Sequence, residues 1–222
     1  MGRLIFVGLF TEGNTDNRFL ESVVKKTLDD IAFGCKGQVE TDVLTIKINK
    51  KKLGFVDQVS IASKTSMMDY GISILCVHTD ADNDLPRIVE TKVNPVLEKI
   101  DTSPESSYCK TIVFIIPVQM VESWMLADKK LFKSEINSNH NDNELGIANN
   151  PEDFTNPKLT IENAIRIAKA NSLKRKRGKG ITIADLYQII GQKLEIQHLE
   201  ALPSFVTFKN GLKGAFQKLN YL

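Results

Sequence analysis

Residues 71–84 read GISILCVHTDADND, and this stretch carries the signals that decide the fold. A nearly continuous apolar run ends at His78, and three aspartates follow it within six residues. Short apolar runs bounded by polar turn residues are typical of strands that are buried on both faces of a sheet. Because ligands bind at the carboxyl ends of parallel strands, these aspartates occupy the expected position of a functional site.

Three similar apolar segments alternate with helical patterns along the first two-thirds of the chain. Further strands are predicted for residues 3–9, 39–48 and 110–116, and helices for residues 15–31, 55–68, 84–100 and 121–131. Strands that alternate with helices indicate a parallel sheet with right-handed crossovers. We therefore expect an α/β fold with a mostly parallel four-stranded sheet, Rossmann-like in organisation, and helices on both faces.

The domain organisation is predicted from a change in composition after residue 132. Residues 1–132 form the α/β core, and residues 133–159, which are rich in Asn, Asp, Ser and Pro, form a long loop or a partly disordered connection. Residues 160–222 are helical in pattern, and we expect them to form an extension that packs on the core.

The composition excludes several classes of protein. The 29 basic and 27 acidic residues among 222 give a net charge of +2, which does not by itself indicate a partner. Cys35, Cys76 and Cys109 are widely spaced and lack a Cys-x-x-Cys pair, so neither a zinc ribbon nor a disulfide framework is expected. Because neither a signal peptide nor an apolar run of membrane-spanning length is visible, we expect a cytoplasmic protein without a membrane segment.

Acidic residues follow the predicted strands. Glu12 comes after the first strand in the segment TEGNTD, where Gly13 lets the chain turn sharply into a helix. Asp80 and Asp82 come after the third strand, and strand-like alternation points both carboxylates the same way. Two carboxylates that lie close together repel each other unless a cation lies between them, and hard oxygen ligands suit Mg²⁺ or Mn²⁺.

Glu122 is the fourth acid and follows the fourth strand in the segment PVQMVESWMLAD. It begins a predicted helix that Trp124 and Leu126 anchor, whereas Asp128 lies on another helix face and is expected to be a cap or a surface residue. Because parallel strands share one carboxyl edge, we expect the four acids to converge on one site.

Each acid also has a purely structural interpretation. Glu12 is alternatively a turn residue that faces the solvent. The aspartates alternatively form an acidic turn in which Asp84 caps the next helix, and Glu122 is alternatively a favourable charge at a helix N-terminus. An EF-hand is excluded because Leu85 and Thr91 stand where that loop needs glycine and glutamate, and the spacing of a P-loop is absent. A haloacid-dehalogenase phosphatase would carry its aspartate pair after the first strand.

The motifs resemble those of a known family. A Glu-Gly pair after strand one and a later Asp-x-Asp resemble the Toprim pattern of topoisomerases, primases and overcoming-lysogenization-defect nucleases. More closely, the segments TEGNTDNRFL, VHTDADND, PVQMVESWMLAD and LPSFVTFKNGL resemble the Toprim-like domain-of-unknown-function family 4276, and together they span most of the chain.

The resemblance implies a Toprim-like fold and a set of roles. Glu12 is implied to do acid–base work or to bind metal, and Asp80 and Asp82 are implied to bind Mg²⁺ or Mn²⁺. Glu122 matches a Glu-x-Trp segment of the closer family. The resemblance also implies a P-loop ATPase as a partner, in a bacterial defence system or a mobile element.

A basic cluster lies in the predicted C-terminal extension. Its members, which can neutralise the phosphates of nucleic acid without reading its sequence, are Lys174, Arg175, Lys176, Arg177 and Lys179. The alternative is a solvated charged loop, and because no aromatic residue is interleaved with the cluster, base stacking is not expected there.

The sequence therefore predicts a Mg²⁺-dependent nuclease in which Glu12, Asp80, Asp82 and Glu122 are the metal-binding and catalytic residues. His78 either contacts the scissile phosphate or is a buried histidine with satisfied hydrogen bonds. Two alternatives stay open. One is a non-catalytic partner module of an ATPase complex, and the other is a small-molecule phosphohydrolase, which would not need the basic cluster.

Overall fold

A fully parallel sheet of four strands, in the order β2-β1-β3-β4, lies at the centre of the molecule. The structure is a computed structural model, and it describes residues 3–171 and 181–222. The strands are β1 (Arg3–Thr11), β2 (Val39–Thr45), β3 (Ile74–His78) and β4 (Thr111–Ile115). The predicted α/β fold with a four-stranded parallel sheet is confirmed.

Helices connect successive strands. The first two crossovers are α1 (Asn17–Phe33) and α2 (Phe55–Tyr70). The third crossover consists of α3 (Leu85–Ile88), a π-helical turn (Val89–Val93), α4 (Asn94–Asp101) and a 3₁₀ turn (Glu105–Ser107). The elements after β4 are α5 (Glu122–Met125), α6 (Lys129–Glu135), a 3₁₀ turn (Pro151–Asp153), α7 (Pro157–Asn171), α8 (Ile183–Lys193), α9 (Ile196–Leu199) and α10 (Pro203–Lys218).

Alternation along the strands produces two hydrophobic layers. Val7, Leu9 and Cys76 are fully buried on the face that α1 and the helices after β4 cover. Leu75 and Val77 are fully buried on the opposite face, which α2 and α4 cover. Because the strands bury side chains on both faces, their sequences are almost continuously apolar. The expected placement of helices on both faces is confirmed.

The C-terminal helices belong to the first of these layers. Phe205 and Phe208 of α10 are buried there together with Trp124 of α5. The Trp124 indole N–H donates to Ser204 Oγ at 2.8 Å, and its ring meets the Phe205 ring edge to face with centroids 5.3 Å apart. Trp124 therefore ties the end of the sheet to α10.

The polar segment between α6 and α7 is a long loop with defined contacts. Leu145 and Ile147 are fully buried in the first hydrophobic layer, and the Lys133 ammonium group lies 2.6 Å from Asp142 Oδ1. Burial of these two apolar residues is favourable and helps to fix the path of the polar segment.

Two predicted helices are interrupted in the structure. The first is broken by the π-helical turn, and Asp84 caps its start by accepting the backbone N–H of Arg87. The second is divided into α5 and α6, and Asp128 caps α6 by accepting the backbone N–H groups of Lys130 and Leu131. Asp84 and Asp128 are thus helix-capping residues, which was one of the alternatives that the sequence left open for each. None of the described helices combines the length and the hydropathy of a membrane span.

Candidate active site at the carboxyl edge of the sheet

The loops after β1, β3 and β4 meet at one edge of the sheet. In the parallel register Thr11 lies beside His78, and His78 lies beside Ile115, so the three strands end at the same level. The loop after β3 is fastened to the loop after β4, because the Ala81 N–H donates to the Pro117 carbonyl oxygen at 3.2 Å. Side chains from all three loops can therefore contribute to one site.

His78 stands at the centre of this edge, between two carboxylates. Its side chain is fully buried, its Nε2 lies 3.2 Å from Asp80 Oδ1, and its Nδ1 lies 3.6 Å from Asp16 Oδ2. Both separations are within ion-pair distance, yet neither ring nitrogen nor Asp80 Oδ1 has a hydrogen-bond partner in the described part of the chain. Buried polar atoms are normally hydrogen-bonded, so these three atoms are the first sign of a functional site.

Asp16 is a member of this group that the sequence analysis missed. Burial raises the pKa of Asp16, the charge of His78 lowers it and the charge of Asp80 raises it, so that the net pKa lies above the ordinary value. Gly13 makes room for this carboxylate, because a Cβ on Gly13 would lie 2.5 Å from Asp16 Oδ2. The chain does bend at Gly13, but the φ angle of this residue is not left-handed, so the close approach of Asp16 is what requires a glycine here.

Glu122 joins the group from the first turn of α5. It is buried, and its Oε1 accepts a short hydrogen bond from the hydroxyl of Tyr187 in α8. Burial raises the pKa of Glu122, the bond from Tyr187 lowers it, and the negative charges of Asp80 and Asp16 raise it, so the net pKa lies above the ordinary value. Three carboxylates, on Asp16, Asp80 and Glu122, therefore influence one another at this edge.

Glu12 lies at the border of this group and is held by a cation. Its Oε2 accepts hydrogen bonds of 2.8 Å from both Thr79 Oγ1 and Lys92 Nζ, and the same ammonium group lies 2.7 Å from Thr79 Oγ1. Partial burial pushes the pKa of Glu12 upward, but the bonds and the charge of Lys92 outweigh it, so the net pKa is lowered. Lys92 belongs to the π-helical turn, an irregularity that is frequent at functional sites.

Asp82 does not point with Asp80, and the argument from strand alternation is wrong here. The strand ends at His78, and Asp82 and Asn83 have φ angles of 48° and 65°, both in the left-handed region. Alternation requires an extended backbone, which this turn does not have. Asp82 is consequently exposed to solvent, beside the acidic group but outside it.

Lys50 contributes to the site from the loop between β2 and α2. Its ammonium group donates to the carbonyl oxygens of Thr11 and Glu12, at 2.6 Å and 2.9 Å, and lies 4.9 Å from the centroid of the Phe10 ring. Burial lowers the pKa of Lys50, while the charges of Asp16 and Glu12 raise it, with a lowered pKa as the net result. The predicted phosphate-binding cluster lies outside the described residues; it comprises Lys174, Arg175, Lys176, Arg177 and Lys179.

The carboxylates suit a divalent cation in chemistry but do not form a complete cage for one. Within residues 3–171 and 181–222, no group of three or more His, Cys, Asp or Glu side chains is arranged to hold a metal ion. Mg²⁺ is usually held by one or two protein carboxylates together with waters and substrate phosphates. The unpartnered Asp80 Oδ1 and the desolvated carboxylate of Asp16 fit an ion of that kind.

The comparisons with known proteins found no similar protein. No protein-family model, no curated protein and no solved structure matches this chain.

Proposed function

We propose that this chain is a divalent-metal-dependent nuclease that cleaves phosphodiester bonds, of the Toprim type that its motifs resemble. The observation that carries the proposal is the group of three interacting carboxylates on Asp16, Asp80 and Glu122. The first two flank the buried ring of His78, whose nitrogens have no hydrogen-bond partner among the described residues. Like charges that share a partly buried place repel one another, and a bound cation relieves that repulsion. Hard carboxylate oxygens favour Mg²⁺ or Mn²⁺.

Asp80 and Asp16 are the residues that would hold the ion. When bound, the ion would supply Lewis-acid polarisation of the phosphodiester and a lowered pKa for the attacking water. His78 is buried beneath the two carboxylates and faces both, so it orients them without reaching the substrate. Neither Glu12 nor Asp82 is in this group, which modifies the set that the resemblance implies.

Glu122 is the residue best suited to acid–base work. A general acid or base is most effective when its pKa is near the operating pH, and burial moves the pKa of Glu122 in that direction. The carboxylate of Glu12 is bound by Lys92 and has a lowered pKa, which makes it a weaker base. We therefore assign proton transfer to Glu122. The role that we assign to Glu12 is to hold the Lys92 ammonium group at the border of the site.

The biological setting follows from the motifs and stays part of the proposal. The resemblance to the Toprim-like family 4276 supports membership of that family, a nucleic-acid substrate and a P-loop ATPase as partner. Cys76 and Cys109 are free thiols, the state that a reducing cytoplasm maintains. A non-catalytic partner module would keep the fold but would not turn over substrate, and a small-molecule phosphohydrolase would act on nucleotides and not on polymers.

A cleavage assay tests the proposal directly. Wild type, Asp80→Asn and Asp16→Asn are incubated with single-stranded and duplex DNA and RNA, in Mg²⁺, in Mn²⁺ and in a chelator. Cleavage by wild type should require metal and fall at least about tenfold in each variant, because loss of groups that hold or orient metal costs that much or more. Asp69→Asn, an exposed acid at the far end of α2, is the matched control and should cleave like wild type. Full metal-dependent cleavage by Asp80→Asn would refute the assignment.

A further inference from the structure

A cleft of about 830 Å³ lies beside the acidic group, between the carboxyl ends of β1 and β2 and the start of α1. Thr11 and Asn14 form the wall that it shares with the loop carrying Glu12 and Asp16. The cleft therefore adjoins the loop that carries Glu12 and Asp16, two residues at the candidate active site.

The cleft is positively charged. Three cationic side chains line it, those of Arg18, Lys47 and Lys50, against one acid, Glu21. Arg18 and Lys47 are exposed, and Lys50 is fixed by the Thr11 and Glu12 carbonyl oxygens. The first residues of α1 add the positive end of a helix that is 17 residues long. Phosphate groups are the ligand chemistry that this charge favours.

The remaining lining indicates which part of a nucleic acid the cleft accepts. None of the described lining residues is aromatic, so the surface offers no platform on which bases could stack. Cavities of roughly 300–1,000 Å³ hold ligands of drug-like size, so this cleft has room for a short segment of a single strand. Cationic, hydroxyl and amide side chains, all of which line the cleft, are the usual partners of the sugar–phosphate backbone.

We propose that this cleft binds the phosphodiester backbone of a single nucleic-acid strand and leads it to the acidic group. The inference rests on the proposed nuclease function and names the surface that holds the substrate next to the cleaved bond. Arg18 and Lys47 contact phosphates from the two walls, whereas Lys50 fixes the loop between cleft and site. The strand is recognised by charge and not by sequence.

The experiment measures binding separately from cleavage. Each protein is titrated into a fluorescent oligothymidylate of about 20 nucleotides, which is longer than the roughly 4–16 nucleotides that one single-strand-binding site covers. The buffer contains a chelator, so that no metal-dependent step occurs. The proteins are wild type, the double variant Arg18→Gln/Lys47→Gln and, as the control, Lys213→Gln, an exposed lysine on α10. Affinity is measured by anisotropy at several salt concentrations.

Loss of two phosphate contacts should weaken binding about tenfold or more near 0.1 M salt and make the salt slope shallower by about 1.4. Lys213→Gln should match wild type. An unchanged affinity and slope in the double variant, or no binding by wild type, would overturn the inference. Thymidine monophosphate is added as a competitor; displacement of the oligomer at equal phosphate concentration would show that the cleft takes single nucleotides, and that also overturns it.

The proposed function fails or holds independently of this result. If wild type binds the strand through the cleft but cleaves nothing in Mg²⁺ or Mn²⁺, the nuclease proposal is refuted and the backbone-binding cleft stands. If metal-dependent cleavage is observed and the double variant binds and cleaves like wild type, only the cleft assignment is refuted.

Discussion

Gly13→Ala should impair the function of the acidic group while leaving the stability of the fold almost unchanged. The added Cβ would lie 2.5 Å from Asp16 Oδ2, whereas ordinary contacts begin near 3.4 Å. The carboxylate must therefore move by about 0.9 Å, away from its position 3.6 Å from His78 Nδ1. Misplacement of a catalytic group by about 1 Å costs on the order of 10²-fold in rate, so we expect metal-dependent cleavage to fall about 100-fold.

The same substitution should leave the fold intact. The atom that the new Cβ meets is the end of a side chain that can rotate, and the φ angle of Gly13 is compatible with alanine. Gly→Ala at a compatible position changes stability by about 0.4–1 kcal/mol in the favourable direction, which offsets part of the cost of moving Asp16. The free energy of unfolding should thus stay within about 1 kcal/mol of wild type.

Urea unfolding and cleavage rates are measured on the same preparations. Gly214→Ala is the matched control, because a Cβ there meets no atom within 4 Å and alanine favours the helix. It should cleave like wild type and be slightly more stable. Wild-type cleavage by Gly13→Ala, or a loss of several kcal/mol in its stability, would refute the reasoning that links Gly13 to the position of Asp16.

Three further outcomes follow from contacts around the site. Tyr187→Phe removes the hydroxyl group that donates a hydrogen bond to Glu122, and the free energy of unfolding in urea should fall by about 1–3 kcal/mol. The control, Tyr70→Phe at an exposed position, should lose less than about 0.5 kcal/mol. Burial raises the pKa of Glu122, so the stability contributed by this group is present below its unfolded pKa of about 4.3 and is lost as the pH rises through the raised folded value. The urea midpoint of Glu122→Gln should accordingly exceed that of wild type by more at about pH 7 than at about pH 4, and an equal difference at both would contradict the raised pKa. Gly191→Ala places a Cβ 2.8 Å from the backbone oxygen of Phe19, which cannot rotate away, so unfolding measurements should show a loss of about 1–3 kcal/mol.

The fold was predictable because its determinants are local in sequence. The strand β3 and its neighbours are short apolar runs, and a run buried on both faces can lie only in a sheet covered on both sides. The ends of elements were less predictable: the pattern over residues 84–100 is helical throughout, yet Val89–Val93 forms a π-helical turn. Apolar periodicity does not distinguish the two hydrogen-bond patterns over so few residues.

The candidate site was predictable only where it depends on position after a strand. Asp80 lies two residues after the end of β3 and Glu122 seven residues after the end of β4, and the structure brings them to one edge. The orientation of Asp82 was misjudged because the chain leaves the extended conformation before it; the consecutive Asp-Asn that follows Ala81 is a signal for a left-handed turn.

Asp16 and Tyr187 were missed for a different reason. Asp16 reaches His78 by packing over Gly13, a contact in three dimensions that the spacing of the motif does not reveal. Tyr187 comes from α8, 65 residues after Glu122, and nothing in its own helix indicates an acidic partner. A buried tyrosine on the apolar stripe of a helix does call for a hydrogen-bond partner, and that is the one signal the sequence held.

Calorimetric titration of Mn²⁺ into wild type, Asp16→Asn, Asp80→Asn and Asp82→Asn tests the central claim most directly. The claim is that the ion binds within the group formed by Asp16, Asp80 and Glu122, so binding should be lost or weakened at least about tenfold in Asp16→Asn and Asp80→Asn. The exposed Asp82 lies outside the group, and Asp82→Asn should bind like wild type. Binding that is lost in Asp82→Asn and retained in Asp16→Asn would contradict the claim and restore the set of residues that the motifs alone imply.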